Sequence, residues 1–196
     1  MAIELVLGLG NPGAAYAETR HNIGYRVADE LGRRLGCADW KHRYSSELGR
    51  TARGHRLWLA KPVTYMNRSG AAARALLNAL ELTAADMLVV VDDVELPLGR
   101  LRLRKAGGPG THNGLRDLVD AVGTGFPRLR LGVQGEKPWA DLADYVLSPF
   151  EADEQEAVGR LVARAADAVE AAVFEGLGRA MNRFNRAEEE GEEEPA

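Results

Sequence analysis

The sequence predicts an α/β fold: a single domain on a twisted, mixed and mostly parallel sheet, with helices on both faces. Two observations point there. Short apolar runs ending in turn residues alternate with helical periodicities along the chain. The run MLVVV at 87–91 is apolar at every position, as a strand covered on both faces must be. No internal repeat and no long linker divides the 196 residues.

Residues 3–9, IELVLGL, read as a buried strand entering the tight turn Gly10-Asn11-Pro12-Gly13. From Asn22 to Leu35 the apolar positions Ile23, Val27, Leu31 and Leu35 recur at helical spacing, with Asn22 as N-cap and Gly36 as stop. Residues 44–61 predict two strands around Arg53-Gly54-His55, ended by Lys61-Pro62, and Ser69 to Leu82 is rich in helix-forming Ala and Leu. The central strand at 87–91 ends at Asp92-Asp93. After Pro97, strict alternation puts Arg100, Arg102 and Arg104 on one face of a strand and Leu101 and Leu103 on the other; residues 126–133 repeat this with Arg128 and Arg130. Between them lie the glycine-rich stretch AGGPGTHNG and a helix from Asn113 to Val122. A helical region from Ala152 to Phe184 carries a stripe including Val158, Leu161, Val162, Ala165 and Val169, suited to covering a sheet. Residues 1–186 are thus expected to form the domain and 187–196 an acidic, disordered tail.

Composition excludes several classes. The chain is 45% apolar and 28% charged, a globular balance. No run approaches the ~18–20 uncharged apolar residues of a membrane span, and Glu4 stands where a signal peptide would carry bases, so a cytoplasmic protein is expected. A lone cysteine, Cys37, rules out an intramolecular disulfide framework; four scattered histidines without paired thiols give no structural zinc pattern, and neither metal nor cofactor is expected. The net charge of −4 is uneven. Six of the 29 acids fall in the last ten residues, leaving 25 bases against 23 acids over residues 1–186. Within 97–134 seven bases face only Asp117 and Asp120, which points to a polyanionic partner on one face.

Gly8-Leu9-Gly10-Asn11-Pro12-Gly13 satisfies the G-x-G-x-x-G dinucleotide fingerprint, but the clear helical period begins only near Asn22, and the expected acid would fall inside that helix. The glycines are more simply turn formers presenting Asn11 at a strand's C-terminal end. Asn67, Asp92 and Asn113 fall at similar strand-to-helix junctions, with His21 nearby in sequence. One asparagine at a helix start is explained as a cap. Three of them with a histidine and an aspartate suggest a cleft. A histidine oriented by a carboxylate activates water at neutral pH, and amides donate to a carbonyl becoming an oxyanion. No nucleophile elbow and no H-E-x-x-H is present, so water attack assisted by a His-Asp pair is the economical chemistry. Gly107-Gly108-Pro109-Gly110 and the following helix start suit phosphate contact, without the G-K-[ST] of a Walker A loop. A non-catalytic RNA-binding protein and an NAD-dependent oxidoreductase stand as rival classes. The former has no need of His21 and Asp92, and the latter would use the first glycine turn.

The segments GLGNPGAAYAETRHNIG, KPVTYMNRSG, VVVDDVELPLGRLRLRKAGGPGTHNGLRD and RLRLGV, in this order, closely resemble the bacterial peptidyl-tRNA hydrolases over about residues 3–185. The resemblance implies a monomeric, metal-free enzyme that hydrolyses the ester joining a peptide to the 3′ ribose of a tRNA. By that likeness His21 matches the general base and Asp92 its supporting carboxylate. Asn11, Asn67 and Asn113 match amides that position the ester and water, Tyr16 and Met66 match residues of the substrate cleft, and Lys105 and Arg130 match bases that hold tRNA phosphate. Three features depart from the pattern: Pro109 and Thr111 in the glycine loop, Val91 where some relatives carry histidine, and the acidic tail.

Overall fold

The computed structural model describes residues 2–54, 57–136 and 140–186. His55 of the expected turn and the acidic run from residue 187 lie outside the described residues. Seven strands, β1 (Leu5–Gly8), β2 (Lys41–Arg43), β3 (Ser46–Arg50), β4 (Trp58–Pro62), β5 (Met87–Pro97), β6 (Leu101–Arg104) and β7 (Arg128–Gln134), form one sheet in the order β2-β3-β4-β1-β5-β7-β6. The four central strands β4-β1-β5-β7 are parallel; the edge pairings β2–β3, β3–β4 and β6–β7 are antiparallel. The expected parallel character therefore holds at the centre and gives way to antiparallel pairing at both edges.

Alternation along the central strands divides the core. Val6, Leu88 and Val90 face α1 (Ile23–Leu35), α5 (Gln155–Phe174) and α6 (Leu177–Phe184). Leu5, Leu7, Val89 and Val91 face α2 (Ser69–Leu80) and α3 (Asn113–Val122). Both layers are fully apolar, which is why these strands read as continuous hydrophobic runs. A short helix, α4 (Leu142–Val146), is an addition that sequence periodicity did not show, and the expected C-terminal helical region divides into α5 and α6 at Gly176, whose φ is +96°. Among the described residues no helix is long and apolar enough to cross a membrane.

Two close backbone approaches set the geometry of the site. A Cβ on Gly8 would stand 2.3 Å from the carbonyl oxygen of Gly24, and one on Gly24 2.5 Å from that of Leu9 and 2.6 Å from that of Val90. The first turn of α1 therefore lies directly on the end of β1 and on Val90 of β5, a contact only glycine permits. Gly8 and Gly24 thus serve helix–strand packing. A 3₁₀ turn, Ala14–Tyr16, follows the G-x-G-x-x-G segment in place of the helix that a dinucleotide site requires. Beyond Asp93, β5 shifts register against β7 and continues to Pro97, past the expected end at Asp92-Asp93.

The alternating arginines share one face as expected, since Arg102 pairs with Arg130 and Arg104 with Arg128 across β6–β7. That face is not uniformly solvated. Arg128 is 1% exposed, stacks 4.1 Å from the Phe126 ring and donates to the carbonyls of Gly107, Gly108, Thr124 and Phe126. Burial, with the neighbouring Arg130 charge, pulls its pKa down to about 10, leaving it cationic at neutral pH. Arg128 is therefore a clasp on the glycine loop, its charge spent on four backbone carbonyls against the Phe126 ring.

Candidate active site

Ligands of open α/β sheets bind outside the carboxyl ends of the parallel strands. The end of β1 leads to Asn11, and Asp92 stands where the regular parallel pairing of β5 with β7 gives out. His21 comes from a 3₁₀ turn, Arg20–Asn22, immediately ahead of α1, so the Gly8–Gly24 contact delivers it beside Asp92 of β5. His112 arrives from the opposite layer as the residue preceding α3. Both reach the same atom: His21 Nδ1 and His112 Nε2 each lie 2.9 Å from Asp92 Oδ1. The imidazole rings are 4.8 Å apart between centroids.

The proton positions follow from valence. His112 Nδ1 accepts the backbone N–H of Leu115 at 3.1 Å, capping α3, and therefore carries no proton. A neutral His112 then holds its proton on Nε2 and donates it to Asp92. His21 Nδ1 likewise donates to that carboxylate, and its Nε2 makes no hydrogen bond among the described residues. Burial alone lowers the His21 pKa, but the charge and hydrogen bond of Asp92 outweigh it, and the net shift is above the ordinary imidazole value. Burial alone would raise the Asp92 pKa; attraction to the two imidazoles instead holds it well below the usual carboxylate range. The carboxylate is thus a fixed negative charge, 1% exposed, beside a base with one open nitrogen.

That base lines a cavity of about 330 Å³, whose wall also includes Asp92, His112, Asn113, Arg130 and α4 residues such as Leu142. A larger groove of about 780 Å³ lies on the far side of Arg20, but Glu136, Glu151, Asp153 and Glu154 line it, and such a wall repels phosphate. The smaller cavity is the candidate site, since His21, Asp92 and His112 line it. His21, Asp92 and His112 bring three potential metal-ligating atoms within 4.8 Å of one another. Their spacing suits shared protons better than a metal: 2.9 Å is a hydrogen-bond distance, whereas two ligands on a tetrahedral zinc stand roughly 3.3 Å apart.

The asparagines are placed differently from one another. Asn11 is buried and doubly held, its backbone N–H donating to Asn22 Oδ1 and its carbonyl accepting from Asn22 Nδ2, both at 2.9 Å. Asn22 was expected as the N-cap of α1; its side chain makes no capping bond and is spent on this pin. Asn11 Oδ1 accepts from Met66 N at 2.8 Å, which leaves its Nδ2 as an open donor. Met66 is buried, and its sulfur would stand 2.5 Å from a Cβ on Gly114, beside His112. Asn67 is exposed in the 3₁₀ turn Met66–Arg68. Asn113 is exposed on the cavity wall, its Oδ1 accepting from Arg116 at 3.2 Å; His112 takes the capping role that an asparagine at this place would suggest. Tyr16 is half-buried and meets Tyr65 edge-on at 6.4 Å.

Arg130 lines the cavity with its Nε 3.0 Å from Asp93 Oδ2. Lys105 is exposed just past the end of β6 and is not one of the residues of that wall. Sequence reasoning did not single out His112 or the Asn22 pin. A signal was present, since His-Asn occurs at both 21–22 and 112–113, each time directly ahead of a helix.

Comparison with known proteins follows the same line. A family model described as peptidyl-tRNA hydrolase matches residues 5–192. A peptidyl-tRNA hydrolase of Chloroflexus aggregans is 48% identical over 184 residues, spanning 92% of this chain and 98% of the relative. One of Aquifex aeolicus is 41% identical over 192 residues, spanning 95% and 98%. The crystal structure of the Acinetobacter baumannii peptidyl-tRNA hydrolase matches with a TM-score of 0.87 at 34% identity, covering 93% of this chain and 94% of that one.

Proposed function

The chain belongs to the peptidyl-tRNA hydrolase family, and from that premise we propose that it cleaves the peptide–ribose ester of peptidyl-tRNA with His21 as general base. The observation that carries the mechanism is the His21 Nδ1–Asp92 contact of 2.9 Å, with the opposite ring nitrogen unengaged in a residue that lines the cavity.

In this reading His21 Nε2 takes a proton from water as the water oxygen bonds to the ester carbonyl carbon. The carbonyl electron pair moves onto oxygen, and Asp92 stabilises the imidazolium. Collapse of the tetrahedral intermediate breaks the bond to the ribose oxygen, which leaves with the proton from His21. The open Nδ2 of Asn11 and the exposed amides of Asn67 and Asn113 are donors for the developing oxyanion and the peptide backbone. An N-acylated residue offers these amides a neutral partner. A free aminoacyl-tRNA would bring an ammonium group with no carboxylate assigned to it, so charged tRNA is spared. Lys105 and Arg130 hold phosphate of the acceptor stem, while Tyr16 and Met66 shape the cleft for the acylated end. The enzyme works as a monomer in the cytoplasm, using side chains and water alone.

The test is hydrolysis of N-acetyl-aminoacyl-tRNA against free aminoacyl-tRNA, in chelator, by the native protein and by His21→Ala. The reading requires rapid cleavage of the first substrate only, abolished in His21→Ala with tRNA affinity retained. Substantial turnover by the variant would assign the base elsewhere.

A further inference from the structure

Arg20 adjoins His21 in the chain and is 3% exposed, yet it faces away from Asp92. Its guanidinium donates to Glu154 Oε1 at 3.2 Å, Glu154 Oε2 at 2.6 Å and the Val133 carbonyl at 3.2 Å. Tyr145 of α4 and Phe150 stack on it at 4.5 and 4.7 Å. The backbone joins in, with Arg20 N donating to Ser148 O at 3.0 Å and Thr19 bridging Pro149. One side chain therefore ties the turn carrying His21 to the end of β7, to α4 and to the approach of α5.

Stability alone accounts poorly for this choice. An apolar side chain would fill the space between two aromatic rings, and a buried ion pair is weak grounds for a gain in stability. Arg20 Nε is moreover buried without a hydrogen-bond partner. A planar fork held at both ends does fix direction, which an apolar side chain cannot.

We propose that the Arg20–Glu154 pair is a positioning device for hydrolysis, setting His21 Nδ1 on Asp92 from behind and holding α4 as the cavity wall. It rests on the reading of His21 as the base. The pair touches no reacting atom and acts through His21. Charged and titratable groups facing His21 are Asp92 from β5 and His112 from the approach to α3, with Asp93, Arg130 and Asp141 across the cavity. Of these, Asp92 alone is hydrogen-bonded to the His21 ring, so a turn that drifts loses the influence that raises its pKa.

The experiment compares Glu154→Gln, a neutral isostere 13% exposed in the native protein, with Arg20→Lys, which keeps the charge and loses the fork. Folding is verified by near-ultraviolet circular dichroism and melting, and Glu154→Gln carries the test if Arg20→Lys does not fold. With N-acetyl-aminoacyl-tRNA, kcat should fall on the order of ten- to a hundred-fold, with KM within about two-fold. The acidic limb of kcat/KM should move down toward an ordinary imidazole near ~6.5. A folded Glu154→Gln protein with native kcat and an unmoved limb overturns the positioning role while leaving an inactive His21→Ala, and the base assignment, intact. If His21→Ala itself keeps its rate, the base assignment fails and this proposal fails with it.

Discussion

Asp92→Asn removes a charge while keeping the shape of the side chain that both imidazoles address. His21 Nδ1 and His112 Nε2 donate to one oxygen at 2.9 Å, and an asparagine oxygen in the same place still accepts from both. What disappears is the attraction between a buried carboxylate and the imidazolium that forms as water attacks. With charge centres about 4 Å apart and an effective dielectric near ~20, that attraction is about 4 kcal/mol. The imidazolium exists only after proton transfer, so the loss falls on the barrier and corresponds to roughly a thousand-fold in kcat. Asp92 is 1% exposed and has no part in holding phosphate in this mechanism, so tRNA affinity should change little. The assay is initial-rate deacylation of N-acetyl-aminoacyl-tRNA, with tRNA binding measured on the same preparation. A folded Asp92→Asn enzyme losing less than about ten-fold in kcat would refute the electrostatic reasoning.

The same carboxylate governs acid stability: its native pKa is depressed, so its contribution is complete above the unfolded value of about 3.9 and is lost as pH falls below it. Asp92→Asn should flatten the fall in melting temperature below about pH 4, measured by calorimetry. Lys105→Ala should weaken tRNA binding and reduce the slope of log K against log salt by roughly 0.7–0.9, leaving kcat at saturation near native; a titration over several salt concentrations decides it. Gly24→Ala places a methyl against the carbonyls of Leu9 and Val90 and should cost about 1–3 kcal/mol by denaturant melts. Because it displaces the turn that carries His21, its loss of kcat should persist at temperatures where the protein is fully folded.

Legibility in the sequence followed the physical signal of each element. Helix α3 and strand β6 could be read because their cues are local, the glycine loop before Asn113 and the strict Arg/Leu alternation at 101–104. Strand β2 could not: its three residues are all exposed, and its hairpin to β3 turns through Tyr44 and Ser45, both at positive φ where a glycine or asparagine would have marked the turn. The extension of β5 to Pro97 is a register shift against β7, visible only once Gly132 is seen beneath the Pro97 carbonyl. Within the site, His21 and Asp92 stood out as polar residues at element junctions. His112 and Asn22 resembled ordinary caps, since capping and catalytic placement use the same residue types at the same positions. Arg128 and Arg130 are indistinguishable by alternation; position along β7 separates them, since Arg128 at its start meets the carbonyls of the glycine loop and Arg130, two residues on, lines the cavity beside Asp93.

The central claim is that His21 holds its proton on Nδ1 against Asp92 and works through a bare Nε2. Nitrogen-15 NMR of the free enzyme, titrated alongside the pH dependence of kcat/KM, tests both halves at once. The account requires a neutral His21 protonated on Nδ1, a midpoint above that of an ordinary imidazole, and the same midpoint in kcat/KM. A neutral His21 protonated on Nε2, or an activity profile that follows another group, would contradict it.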